Sequence, residues 1–370
     1  MHSYSKSHLL TKLLFDMKKY CLFVSLTLVI VLTSCSKHVT DPLVSNTYFS
    51  QWNECTALSA LKDYVDDVTN PKSPNFIKVE DRIATFDMDG TFVGELFPTY
   101  FEYNLLEYRV LDDPAYRDKA PEDVRQTAQE IRDFVRNGKP LPDHFNLKHG
   151  RAAAKAYSGM TLAEFDAYVK AFAEKPANGF KGMTFGQGTY KPMLEIINYL
   201  KDHGFTYYVV SGSDRYIVRA LATAVGFDAN HVIGTDYGLC SSKQGDANPL
   251  DYTMDKDEKI IRSDEFILKD EKNNKVLQIS KEIGKVPVLS FGNSSGDAAM
   301  HNYCLSNNRY RTAAFMLVAD DDARDHANLA EAAKREAKWR EANYHIISMK
   351  NDFKTIYGPN VQKVDFVFPK

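Results

Sequence analysis

Two carboxylates one residue apart, Asp87 and Asp89, close the run Ile83-Ala84-Thr85-Phe86-Asp87-Met88-Asp89-Gly90-Thr91. Its first four residues are apolar, β-branched or aromatic, the composition of a short buried strand. The pattern stops at Asp87; Gly90 permits the sharp turn that must follow, and Thr91 can hydrogen-bond within the loop. In open parallel sheets ligands bind beyond the carboxyl ends of the strands, so both carboxylates fall at the mouth of a site. One carboxylate there can attack phosphorus and form an acyl phosphate, while a second protonates the departing oxygen and later deprotonates water. A plain polar turn after a core strand uses the same residue types, and only the rest of the chain separates the two.

Three further stretches have matching chemistry. Val209-Val210-Ser211-Gly212-Ser213 ends a strand in small hydroxyl residues just before a helix. A helix N-terminus offers free N–H groups and partial positive charge to a phosphate, although Ser is also an ordinary N-cap. Lys269-Asp270-Glu271-Lys272-Asn273-Asn274-Lys275 leads into the helical pattern Val276, Ile279, Ile283, and phosphoryl transfer needs a cation to steady the equatorial oxygens. Lys269, Lys272 and Lys275 all compete for that role, against the usual fate of a charge run as a solvated face. Finally, Phe291-Gly292-Asn293-Ser294-Ser295-Gly296-Asp297 again ends a strand in glycine and oxygen-bearing side chains, the donor type magnesium prefers.

Taken together, these four strand ends resemble the motifs of the haloacid dehalogenase superfamily, most of whose members are magnesium-dependent phosphatases. The resemblance implies an α/β, Rossmann-like core with a parallel sheet covered by helices on both faces, plus an inserted, mainly helical cap. It implies Asp87 as nucleophile and Asp89 as general acid and base, with Ser211 and the Gly212 amide on the phosphoryl oxygens. Lys275 fits the third motif best. Mg²⁺ would be held by Asp87, the main-chain carbonyl of Asp89 and Asn293, with Asp297 orienting the lysine or a metal-bound water. Asn293 departs from the family's usual acid at that position and takes one negative charge from the metal site. Asp89 argues against dehalogenases, which lack the second Asp, and the run lacks the Lys-Thr-Gly-Thr of transport ATPases. A mutase would need sugar phosphates, so a phosphatase is expected. Phosphoserine-phosphatase-like and periplasmic phosphorylcholine-phosphatase-like enzymes are the nearest subfamilies. Glu95, Phe97 and Tyr100, followed by Tyr103 and Glu107, stand where the insertion begins and could receive a cationic head group, although aromatics at helical spacing are also ordinary core. The expected partner is a small phosphorylated metabolite. The contrasting expectation is a lipid-anchored binding protein that kept the fold and lost turnover at Asn293.

With 370 residues, 44% hydrophobic and 26% charged, the chain has the composition of a soluble globular protein with a substantial core. Its net charge of -3 gives no pointer to nucleic acid, and no oligomeric state can be read from it. Lys18 and Lys19 precede the apolar run Cys21 to Leu32, too short for a usual membrane span but suited to a signal-peptide core. It ends in Leu32-Thr33-Ser34-Cys35, which resembles a bacterial lipobox with Cys35 lipidated, placing the protein in the cell envelope. Residues 1–16 read as upstream of the true start at Met17. Cys55, Cys240 and Cys304 remain in the mature chain with no Cys-x-x-Cys spacing and are expected as buried free thiols.

The elements that must position this chemistry divide the chain into a tether and N-terminal helix at 36–80, a core at 81–94 and 190–370, and the cap at 95–189. The polar stretch before residue 46 reads as tether, and Glu54 to Val68 as the helix. In the cap, Pro121 marks a helix start, Gly138 a stop, and Thr161 with Glu164 a capping box. Gly179, Gly182, Gly186 and Gly188 are expected to form a flexible return, as in a lid that closes over a site. Helices are expected at Lys191 to His203, Tyr216 to Val225 and Leu329 to Glu341, between strands at Phe205 to Val210, Val286 to Phe291, Thr312 to Val318 and Tyr344 to Ser348. Tyr237 to Ile267 reads as polar and irregular, a possible β-excursion.

Overall fold

Ile83–Phe86 forms strand β1, buried along its whole length. It lies inside a seven-stranded sheet with β3 (Thr206–Asp214), β4 (Val232–Ser241), β5 (Ile260–Leu268), β6 (Leu289–Gly292), β7 (Ala313–Val318) and β8 (His345–Ser348). This computed structural model describes residues 48–95 and 97–368. The expected signal segment, lipobox with Cys35 and tether lie outside the described residues. Among the described residues, no helix is long and apolar enough to cross a membrane.

The strand order is β5-β4-β3-β1-β6-β7-β8. β1 pairs with β3 on one side and β6 on the other, with Phe86 level with both Val209 and Phe291. The chain builds one wing outward from β1 and then returns to build the other from β6, so the carboxyl end of β1 is the switch point where such sheets bind ligands. Phe86, Phe291 and Phe315 stack across three adjacent strands at centroid separations of 4.4 and 5.0 Å, which fixes the spacing of β1, β6 and β7.

Neighbouring strands run parallel except β4 and β5. The stretch that reads as an irregular β-excursion is largely this antiparallel edge pair and its polar loop, on a sheet that is otherwise parallel as expected. β5 mixes exposed and half-buried positions, which an antiparallel edge strand tolerates.

Both faces are covered. Phe315 and Leu317 join the main core with Leu61 and Val65 of α1 (Thr56–Thr69) and Ile197 and Leu200 of α6 (Lys191–Asp202). Ala314, Met316 and Val318 turn the other way, onto Ala332 and Trp339 of α10 (Leu329–Glu341). Val210 packs on that second side with Ile279 of α8 (Asn273–Glu282) and Met300 of α9 (Ala298–Leu305). Helix α7 (Arg215–Thr223) follows β3, and the short α11 (Met349–Asp352) follows β8.

The insertion is helical as expected, with α2 (Phe101–Glu107), α3 (Glu122–Asn137), α4 (Phe145–Ala156) and α5 (Leu162–Ala173). Both halves of the Thr161–Glu164 capping box form, and Gly138 ends α3 at φ +65°. Pro121 is the cap of α3 rather than its first residue. The glycine-rich return differs from expectation. β2 (Phe180–Lys181) pairs antiparallel with β9 (Gln362–Lys363), and the Val364 N–H donates to the Gly179 carbonyl at 2.9 Å. A Cβ at Gly182, where φ is +79°, would lie 2.5 Å from the Asn360 carbonyl oxygen, so this glycine permits close approach of two backbones. Cys55, Cys240 and Cys304 are free thiols, but Cys55 and Cys240 are only partly buried.

Candidate active site

β1 delivers Asp87 to the carboxyl end of the sheet, where its N–H donates to the Phe291 carbonyl at 2.9 Å. The chain then turns tightly, with the amides of Thr91, Phe92 and Val93 all donating to the Met88 carbonyl. Gly90 sits at φ +78°, and a Cβ there would fall 1.8 Å from Nδ2 of Asn293, so only glycine fits.

Asp87 Oδ1 accepts from the Lys275 ammonium at 2.6 Å, and Oδ2 accepts from the Thr91 hydroxyl at 3.2 Å. Lys275, three residues into α8, also donates to Asp297 Oδ1 at 2.7 Å. The other Asp297 oxygen accepts the main-chain amides of Asn293 and Ser294 at 3.1 and 2.9 Å. All three charged groups are buried. Burial pushes the Asp87 carboxyl up, the Asp297 charge adds to it, and Lys275 opposes both. Burial acts on Asp297 in the same direction, but there the attraction of Lys275 prevails and holds it low. The two neighbouring carboxylates outweigh burial at Lys275, so its ammonium stays charged.

Asp89 has a different environment. Its Oδ2 accepts from the Ser213 hydroxyl at 2.7 Å, and among the described residues its buried Oδ1 has no hydrogen-bond partner. Burial pushes this carboxyl up to about 7 against the pull of Ser213, which suits a group that must both give and take a proton near neutrality. The same cause takes Glu95 up to about 7.

These residues open on a cavity of about 280 Å³, which Gly212, Ser213, Lys275, Asn293 and Asp297 also line. Glu95, Tyr100 and Tyr103 form part of its wall. Phe97 does not. It is fully buried against Phe180 and Phe185 at 6.0 and 5.7 Å between ring centroids, so its expected place beside the substrate is corrected to the hydrophobic core under the cap. Glu107 also turns away and pairs with Arg132 of α3 at 2.7 Å. Ser211 is fully buried, and its hydroxyl accepts the Ser213 amide at 3.1 Å; the cavity wall at this strand end comes from Gly212 and Ser213. Of the competing lysines, Lys275 touches Asp87. Lys269 donates instead to Glu102 of α2 at 2.9 Å, and Lys272 stands exposed on the rim at φ +54°.

Sequence reasoning missed Ser213 as the partner of Asp89 and Glu102 as the link between cap and core. Ser213 was visible in the Ser-Gly-Ser run, but its partner was not. Glu102 gave no signal, being one polar residue in a helix whose every position is buried. Its second oxygen accepts the Asp214 amide at 3.1 Å, and Asn146 of α4 donates to Glu271 at 2.6 Å, so Glu102 and Asn146 tie the insertion to the loops at the strand ends.

The oxygen donors expected around a magnesium ion fit it. Asp89 retains an orphaned buried oxygen, Asn293 presses on the Gly90 cradle, and carboxylate, amide and main-chain oxygens are the hard ligands Mg²⁺ takes. Among the described residues, no three His, Cys, Asp or Glu side chains could alone hold a metal, so amide and carbonyl donors must contribute.

The model of the haloacid dehalogenase-like hydrolase family matches residues 84–301, a span that includes each of the four strand ends. The chain belongs to this family. Haloacid dehalogenase-like hydrolases are generally phosphatases. No curated protein matches the chain. Among solved structures, it is similar to a conserved functionally unknown protein from Anaerococcus prevotii, at 17% identity and TM-score 0.49 over 85% of this chain and 99% of that one. It is also similar to a phosphoserine phosphohydrolase-like protein from Francisella tularensis, at 13% identity and TM-score 0.37 over 72% and 94%. A protein from Bordetella pertussis gives 13% identity and TM-score 0.44 over 72% and 97%.

Proposed function

We propose that this haloacid dehalogenase-like hydrolase is a magnesium-dependent phosphomonoesterase that forms an aspartyl-phosphate on Asp87. The observation that carries the reading is the division of labour between two carboxylates on one cavity: Asp87 is held by Lys275, while Asp89 has one oxygen on Ser213 and one free.

A bound Mg²⁺, held by Asp87, the Asp89 main-chain carbonyl and Asn293, would offset the repulsion between a phosphate dianion and these acids. An Asp87 oxygen attacks phosphorus in line, the bond to the alcohol oxygen breaks, and Asp89 gives that oxygen its proton. Lys275 and the Gly212 turn steady the transferred group. Asp89, now ionised, takes a proton from water as the water oxygen attacks phosphorus, releasing inorganic phosphate and the Asp87 carboxylate.

The size of the cavity supports a small phosphorylated metabolite, and the rings of Tyr100 and Tyr103 in its wall support a cationic head such as phosphoserine or phosphocholine carries. We also propose that lipidation of Cys35 anchors the chain to an envelope membrane, with the enzyme facing the periplasm or the surface.

Phosphate release from an aryl phosphate should require Mg²⁺ and should vanish in Asp87→Asn, followed by a panel of phosphorylated metabolites. Asn293 favours one other outcome: thermal stabilisation by a phosphorylated ligand without any phosphate release would make the protein a binder. A Cys35→Ala chain that still partitions with membranes would sink the anchor.

A further inference from the structure

We propose that Glu95 completes the magnesium site, supplying the negative charge that Asn293 lacks and setting which arm of the Asn293 amide faces the cation. This rests on the magnesium reading above and reassigns Glu95 from substrate to metal.

Asn293 and Glu95 meet over Gly90. A Cβ built there would meet Asn293 Nδ2 at 1.8 Å and Glu95 Oε2 at 2.8 Å, so amide and carboxylate converge on the residue next to Asp89. Asn293 Nδ2 in turn donates to Glu95 Oε2 at 3.4 Å. An amide nitrogen cannot ligate a metal, and only Oδ1 can. A carboxylate beside Nδ2 leaves Oδ1 on the opposite arm, free for a cation shared with Asp87. An aspartate at position 293 would need no such partner, because either oxygen could ligate.

Charge points the same way. Lys275 is shared between Asp87 and Asp297, so these three groups together have a single negative charge for a divalent ion. Glu95 lines the same cavity as Asp87, where Arg335 on the same wall favours its charged form. A second charge, at the Asn293 position in the family's common form, is here brought by the chain immediately after the catalytic turn. The Gly94 amide, donating to the Gly188 carbonyl at 2.8 Å, fixes the backbone from which it projects.

The test is a Mg²⁺ titration by calorimetry without substrate, on wild type, Glu95→Gln, Asn293→Asp and the double variant, with circular dichroism as a check on folding. Glu95→Gln should weaken Mg²⁺ binding by about tenfold or more, in the range seen when groups supporting metal ligands are removed. Adding Asn293→Asp to it should restore affinity to near the wild-type value, since one acid then replaces another. Wild-type affinity in Glu95→Gln overturns the inference and leaves the phosphatase reading intact, the more so if KM alone rises. A wild-type chain that takes up no Mg²⁺ overturns both.

Discussion

Two buried clusters of cation and carboxylate, one on Lys275 and one on Arg262, look alike by composition and differ in what surrounds them. Lys275 lies between Asp87 and Asp297 with a cavity as its fourth wall. Arg262 of β5 is wholly buried, donates to Asp214 at 2.7 Å, and lies over the rings of Phe165 and Tyr237 at 4.1 and 4.7 Å. Its main chain holds the loop before α5, through the Arg262 amide on the Met160 carbonyl at 2.9 Å and the Gly159 amide on its own carbonyl at 2.8 Å. Two carboxylates on one cation leave charge over, and an open wall lets a phosphate or metal take it up. One carboxylate on one cation, roofed by aromatics, leaves nothing to exchange, and that pair serves to join cap and core. A buried ion pair becomes a reactive site only where its charges do not cancel and a ligand can reach it.

Arg262→Met should show the larger effect, a loss of about 3–5 kcal/mol in urea unfolding, because Asp214 is left charged and dry. Converting Asp214 to Leu as well should recover only part of it, because the Asp214 side chain also caps α7 through the Tyr216 amide at 2.9 Å; turnover per folded molecule should barely change in Arg262→Met alone. If Arg262→Met unfolds like the wild type, the contrast fails. Lys275→Met should reverse the pattern, with turnover falling by roughly 10²–10³-fold. Its stability loss should be the smaller of the two, since the open cavity lets water reach Asp87.

A finer test uses pH. The folded Asp89 carboxyl is pushed to about 7 from 3.8, so the folded state binds the extra proton between those values. Its contribution to stability is therefore full below pH 3.8 and lost as pH rises through about 7. Asp89→Asn should be more stable than wild type at neutral pH in chelator, on the order of 1–3 kcal/mol, with the gap closing towards pH 4. A constant gap across that range would mean the carboxyl is not strained by burial. Smallest of all, Thr161→Ala removes one reciprocal cap on α5 and should cost about 1 kcal/mol, with no change in KM.

Much of the core was legible because its signals are local. Hydrophobic run length located β1, β6 and β7, and Thr161 and Gly138 marked helix ends by the same backbone chemistry seen in the fold. The antiparallel β4–β5 edge was not legible, since a half-wet strand lacks the dense apolar run of a buried one. The tied-down glycine return was misjudged for a related reason. Gly182 reads as freedom along the chain, and only the partner strand β9 shows that it admits a neighbouring backbone.

The sequence by itself determined the chemistry available, namely two acids, a lysine, small hydroxyl residues and an asparagine at successive strand ends, together with the alternation that makes an α/β sheet. It also marked Asn293 as a departure from the family's usual acid. Only the tertiary structure decided which lysine meets Asp87, that Phe97 belongs to the core, and that Ser213 and Glu95 stand against Asp89 and Asn293. Partner choice among side chains far apart in sequence depends on strand order and on which face of a loop is dry, and neither is written in residue type or local spacing.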